Sequence, residues 1–359
     1  MKLFQDWHMK YGSRKITKLG NVALSSNNKN EVDDAIRIID DWRTLHLVAL
    51  DELQNSIVTL LNEKSIRISA VSRRLKRISS ILNKLDRNPQ SGLGTMQDIG
   101  GLRIIVPTMG TLNRAYEAIT NNIPNNFELT KPPMNYIKVP KDISGYRSIH
   151  FIYKYHSTNL NVDGMKIELQ LRTKLQHSWA MAVETAELVT GTALKSSQGD
   201  DNWICFFKIV SSLFAIKENT PILTEHLTLN YNMKELMLKL YSMNANNHFN
   251  DTLKALRVSN TVAKKANYKD GYYILNINFS TQRVNIISYP KENEEQASSN
   301  YYKLEKKADE SKNAVVLVSV PKMQQLQEAY PSYFLDTSDF LNAIDVMMTN
   351  CEKWGWVKK

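Results

Sequence analysis

Apolar residues recur at helical spacing across residues 31–61, with Ile36, Ile39, Trp42, Leu45, Leu47 and Leu50 in one run that no Pro or Gly interrupts. That pattern predicts a helix or a helical pair. Residues 64–87 read as helical or extended and carry Lys64, Arg67, Arg73, Arg74, Lys76, Arg77, Lys84 and Arg87 against Asp86 alone, before Pro89 and Gly92 break the chain. Residues 102–106 read as a buried strand, 111–119 as a short helix and 127–130 as a weak strand. The best strand pair is 149–155 with 166–171, joined by a turn through Asn159, Asn161, Asp163 and Gly164. Helices are expected over 174–189 and 203–216. This order predicts an α/β or α+β domain, of which we take α+β, around one mixed sheet.

After Pro221 the pattern changes. A polar-rich helical stretch runs to about residue 256. Residues 272–278 and 283–289 then alternate at period two around Ser280-Thr281, as a hairpin does. Residues 291–312 are charged and rich in Ser and Asn, which predicts an exposed loop. A third strand over 314–320 and helices over 322–329 and 338–349 complete a small second domain. The expected divisions are 1–220, a helical connector over 221–270, and 271–359.

A chain of 359 residues with 42% apolar content can bury a core and hold two domains. The two cysteines, Cys205 and Cys351, lack paired spacing, which argues against a structural zinc site and a disulfide framework and fits a reducing cytoplasm. No signal-peptide run opens the sequence and no apolar stretch is long enough to cross a bilayer, so the expectation is a cytoplasmic protein without a membrane partner. The net charge of +10 is uneven: residues 1–200 hold 27 Lys and Arg against 19 Asp and Glu, and the remainder 19 against 17. Such an excess either concentrates a polyanionic substrate or is a solvated basic surface.

The candidate chemistry lies in the first half. Gly145-Tyr146-Arg147-Ser148-Ile149-His150 combines a backbone free to turn, an aromatic face for a base, and Arg and His donors for phosphate. In Ile167-Glu168-Leu169-Gln170-Leu171-Arg172, period two puts a carboxylate, an amide and a guanidinium on one face of a strand. Upstream, Asp98 stands beside Gly100 and Gly101, which let the backbone approach phosphate.

These segments, with Ser72-Arg73-Arg74-Leu75-Lys76, Lys84, Asp98 to Arg103, Tyr136 to Lys141 and Glu168 to Thr173 in order, resemble the RelA/SpoT-type synthetase family over residues 30–215. The resemblance implies a nucleotidyltransferase-like synthetase domain that transfers pyrophosphate from ATP to a ribose 3′-hydroxyl. By that resemblance Asp98 and Glu168 are catalytic and bind Mg²⁺, and Glu168 accepts the hydroxyl proton. Arg74 and Arg103 sandwich adenine, Lys76 and Lys84 hold the triphosphate with support from Arg87, and Tyr146 stacks on the acceptor. Tyr136, His150, Gln170 and Arg172 complete the acceptor side.

The helix from Leu175 to Thr185 looks like the toxic, tRNA-modifying branch. The family usually has an acid where Asn135 stands, and its loss leaves room for a larger or more negative acceptor. The resemblance thus points to the tRNA 3′ end as acceptor, with Arg14, Lys15 and Lys18 as contacts or as a solvated terminus. Tyr330-Pro331-Ser332-Tyr333 resembles the Tyr-x-x-Tyr element of fused toxin and antitoxin synthetases of the CapRel type. This implies a metal-free, zinc-finger-like C-terminal domain whose Tyr330 and Tyr333 occupy the adenine space, with a phage structural protein as trigger in antiphage defence. Two rivals remain: an alarmone synthetase making (p)ppGpp or (p)ppApp, and an inert RNA-binding or sensing module.

Overall fold

The computed structural model describes residues 12–190, 201–247, 249–250, 253, 271–278, 283–307, 313–320 and 337–357. Helices α1 (Ser13–Ser25) and α2 (Lys29–Glu63) come first, the second as one uninterrupted helix rather than a pair. Asn28 starts it by accepting from the Asn30 amide at 3.0 Å. Then follow β1 (Ala70–Leu75), α3 (Ile78–Arg87), β2 (Gly100–Val106), α4 (Met109–Asn121), β3 (Phe127–Leu129), β4 (Met134–Asn135), β5 (Ile149–Tyr155) and β6 (Lys166–Thr173). Helices α5 (Lys174–Thr190), α6 (Asp201–Lys217), α7 (Thr224–Thr228) and α8 (Met233–Asn247) come next. The chain ends in β7 (Gly271–Asn278), β8 (Arg283–Pro290), α9 (Glu294–Lys307), β9 (Asn313–Val320) and α10 (Ser338–Lys353).

The strands form one sheet in the order β3-β5-β6-β2-β1-β9-β7-β8, with β4 beside β5. The β2–β6 pair is parallel and the other described pairs are antiparallel, so the sheet is mixed. Alternation gives it two unlike faces. Leu102, Ile104 and Val106, with Ile167, Leu169, Leu171, Ile149 and Phe151, are fully buried on one face in a core shared with Leu45, Leu50, Leu53 and Ile57 of α2. Gly100 permits that approach, because a Cβ there would meet Ile167 Cδ1 at 2.8 Å and Leu50 Cδ1 at 3.1 Å. The opposite face carries the polar residues.

A second core joins α5, α6, α8 and α10 through Trp179, Phe206, Phe207, Phe214, Leu240 and Phe340. Strand β9 and helix α10 therefore do not lie apart from the first half. Strand β9 pairs with β1 at Arg73 and Arg74, and α10 packs against α5 and α8. The expected exposed loop at 291–312 contains α9 instead. No Pro or Gly interrupts it, and Ala297, Tyr301 and Leu304 at spacings of four and three dock against Tyr272, Ile274 and Val315. Tyr301 also meets α2, where the buried Arg43 donates to its hydroxyl at 3.4 Å and to the Lys76 carbonyl at 3.1 Å. The expected helix at 322–329 lies outside the described residues.

Phe340 is fully buried, its ring centroid 5.8 Å from that of Phe207 in a tilted contact and 5.9 Å from that of Phe214 edge-on. Phe340→Ala should cost about 3–5 kcal/mol in denaturant unfolding of the full chain, whereas the exposed Val346→Ala should stay within about 0.5 kcal/mol. Equal effects of the two changes would show that α10 is not part of the core.

Candidate active site

Register decides which side chains meet. Ser72 pairs with Arg103 and Arg74 with Gly101 across β1 and β2, so the two arginines lie diagonally on one face. Gly101 adds no side chain between them. Across the parallel pair, Gly101 faces Glu168 and Arg103 faces Gln170, and β5 adds His150 opposite Gln170. Above this face is a cleft of about 210 Å³ lined by Ser72, Arg74, Lys76, Asp98, Gly101, Leu102, Arg103, Tyr146, Glu168, Gln170, Arg172 and Glu184.

Asp98 lies in the loop entering β2. Its Oδ2 takes the Lys76 ammonium at 2.9 Å, and the Lys84 ammonium from α3 lies 2.9 Å from both oxygens. Burial alone would raise the Asp98 pKa, but the two ammonium groups outweigh it and hold the carboxyl below its ordinary range. Lys76 moves the other way for a lysine that has a partner. Its burial, with Lys84 and Arg74 nearby, outweighs Asp98 and lowers its pKa. One carboxylate thus serves a cluster of cations, a balance that suits an anionic ligand.

Five side chains form a closed circuit beside it. Glu168 Oε1 lies 2.7 Å from His150 Nδ1, and His150 Nε2 lies 2.8 Å from the Tyr146 hydroxyl. Arg172 donates to that hydroxyl at 2.5 Å and to Gln170 Oε1 at 2.7 Å, and Gln170 Nε2 returns to Glu168 Oε2 at 2.7 Å. Burial would raise the Glu168 pKa, but the bonds from His150 and Gln170 prevail and lower it, which keeps the group anionic.

The structure separates the sequence-predicted residues into groups. Arg74, Lys76, Asp98, Arg103, Tyr146, Glu168, Gln170 and Arg172 line the cleft, and Lys84 and His150 bond to its carboxylates. Tyr136 packs edge-on against His150, with ring centroids 5.2 Å apart. Arg87 is exposed on α3, where its Nε donates to the Asn83 carbonyl, and it does not line the cleft. Arg14, Lys15 and Lys18 are exposed on α1, which packs against α3 and residues 93–95. Tyr330 and Tyr333 lie outside the described residues.

One reading is corrected. Arg147, read as a phosphate donor, is buried behind its loop, donating to Ser211 Oγ at 2.9 Å and to the Ile137 carbonyl, with burial lowering its pKa to about 10. Beside it, Gly145 has φ +82° and a Cβ would stand 3.0 Å from Ser211 Cβ, so the loop requires glycine. Asn135 accepts from the Ile137 and Lys138 amides at 3.0 Å and shapes the turn.

Sequence reasoning gave no role to Lys141 or Glu184. Lys141 Nζ stands 4.5 Å from the Tyr136 ring centroid and 5.4 Å from that of Tyr146. Burial lowers its pKa against the pull of Glu168. Glu184 on α5 lines the cleft 4.0 Å from Arg103. The Tyr136–Lys141 stretch and the α5 motif had marked both segments, but only the fold shows which side chains reach the site.

Mg²⁺ prefers one or two carboxylates together with substrate phosphates and water. Asp98 and Glu168 supply donors of that kind in one cleft, but lysines hold the first, and His150 and Gln170 donate to the second. The set therefore fits a cation that keeps phosphate and water ligands. Among the described residues there is no group of three or more His, Cys, Asp or Glu able to hold a metal by themselves, and no helix long and apolar enough to cross a membrane.

Residues 73–188 match the family described as the region found in RelA / SpoT proteins. No curated protein matches the sequence. Among solved structures, a GTP pyrophosphokinase family protein from Streptococcus pneumoniae is similar at 20% identity, over 54% of this chain and 93% of its own, with a TM-score of 0.41. Small alarmone synthetase 2 from Bacillus subtilis is similar at 22% identity over 52% and 95%, with a TM-score of 0.42. Small alarmone synthetase 1 from the same organism, bound to its product pppGpp, is similar at 25% identity over 51% and 90%, with a TM-score of 0.39. The family match spans every residue of the cleft except Ser72, so the cleft lies within the region found in RelA / SpoT proteins.

Proposed function

We propose that the cleft transfers pyrophosphate from ATP to the 3′-hydroxyl of the terminal adenosine of tRNA. The observation that carries the transfer chemistry is the meeting of the Arg74–Arg103 diagonal, the lysine-held Asp98 and the anionic Glu168 in one cleft. Adenine lies against the guanidinium planes of Arg74 and Arg103. The triphosphate takes the ammonium groups of Lys76 and Lys84 from Asp98. Asp98 and Glu168 would hold Mg²⁺, which would supply charge neutralisation for the transferred group. Glu168 accepts the hydroxyl proton while the hydroxyl oxygen bonds to the β-phosphorus. The bond from that phosphorus to the oxygen bridging it to the α-phosphate breaks, and AMP leaves with the electron pair.

The tRNA acceptor is supported by the basic excess of the first 200 residues and by Arg14, Lys15 and Lys18, exposed on a helix packed against the one bearing Lys84. Blocking tRNA 3′ ends is toxic, and a toxin needs restraint. Support for restraint by the C-terminal region comes from the pairing of β9 with β1 at Arg74, which sets those strands next to the adenine side. A phage protein that draws them away would release the enzyme.

ATP labelled in its β and γ phosphates, offered with tRNA and with guanine nucleotides to the full chain and to a Tyr330→Ala, Tyr333→Ala variant, separates the readings. Label in tRNA, stronger in the variant, is expected. Label only in a guanosine polyphosphate would make the protein an alarmone synthetase, and label in neither an inert module. Glu168→Gln should lower kcat by about 10²–10⁴-fold. Arg14→Glu with Lys15→Glu should weaken tRNA use steeply with salt and spare small nucleotides.

The lysine clamp has its own test. Asp98 titrates below its unfolded value, so it stabilises the fold at neutral pH, and that stability is lost as pH falls through the folded pKa. Lys84→Met should move the Asp98 carboxyl titration upward in ¹³C NMR and bring this loss to higher pH. An unchanged titration would mean that Lys84 does not hold the carboxylate.

A further inference from the structure

We infer that Tyr146 and Arg172 are positioning residues that orient Glu168 through His150 and Gln170. Hydrogen-bond polarity carries the inference. A guanidinium has donors only, so the Tyr146 oxygen and Gln170 Oε1 must both accept from Arg172. The single phenol proton then has one acceptor in the circuit, His150 Nε2 at 2.8 Å. With Nε2 accepting, the ring proton sits on Nδ1 and is donated to Glu168 Oε1 at 2.7 Å. In the other arm, Gln170 Oε1 is taken by Arg172, which turns its amide nitrogen toward Glu168 Oε2 at 2.7 Å. Arg172 thus sets the direction of both arms, and they end on the two oxygens of one carboxylate.

The surroundings keep the circuit closed. Arg172 is 2% exposed and Tyr146 9% exposed, so water competes little for these bonds. The Tyr146 ring packs edge-on to His150 at 5.6 Å, with the Arg172 guanidinium 5.1 Å from its centroid. A ring used only for stacking on an acceptor has no need of its hydroxyl. Here the hydroxyl is the link between Arg172 and His150. The consequence for the reaction rests on the proposed role of Glu168 as acceptor of the hydroxyl proton, whereas the His150 tautomer does not.

The variant Tyr146→Phe keeps the ring and removes the link. With ATP and whichever acceptor the wild type labels, kcat should fall about 10–100-fold while the acceptor KM changes less than about threefold. Arg172→Met, which removes the Nη2 donors to both arms, should fall in the same sense. Independently of activity, ¹⁵N NMR of the neutral His150 ring in the full chain should show the proton on Nδ1 in the wild type and a mixture of tautomers in Tyr146→Phe. Wild-type kcat in Tyr146→Phe, or a proton on Nε2 in the wild type, would overturn the inference. A wild type that transfers no pyrophosphate would sink the functional reading instead, and the NMR comparison would still decide the circuit.

Discussion

The parallel pairing of β2 with β6 is the constraint from which the rest follows. It aligns Gly101 with Glu168 and Arg103 with Gln170, and the antiparallel partners on either side add Arg74 to the first of these rows and His150 to the second. A shift of one residue in any of these registers would bury the charges and expose Leu102, Leu169 and Phe151. The large apolar face held by α2 therefore fixes the polar face, and the site takes its geometry from the core beneath it.

That face gathers charges that would be costly if they were unpaired. Asp98 answers two lysines, and Glu168 closes a circuit whose direction starts at Arg172. The two carboxylates are held in different ways, one by ion pairs that a triphosphate can replace and the other by hydrogen bonds that fix its orientation. On the proposed reading, this division suits a donor that must displace cations and a base that must stay in place.

Much of this was legible in the pattern of residues. The strands at 149–155 and 166–171 have apolar alternation and 102–106 reads as a short buried run, and the structure places strands at each. The hairpin at 271–290 was equally visible, but its attachment to β1 was not, because pairing between Arg74 and Val318 joins segments more than 240 residues apart and leaves no local trace. Helix α9 was hidden by its Ser and Asn content, since three apolar residues suffice to dock it. Helix α1 was read only as a set of cations. At the site, Arg147 shows the limit of reading residue types: a guanidinium in a phosphate-like motif turned inward, and only Ser211, 64 residues away, explains why.

The most direct test of the account is the structure of the full chain with a non-hydrolysable ATP analogue. Adenine between Arg74 and Arg103, with the phosphates on Lys76 and Lys84 and Asp98 released from them, is the predicted result. An analogue bound elsewhere, or one that leaves both lysines on Asp98, would contradict it.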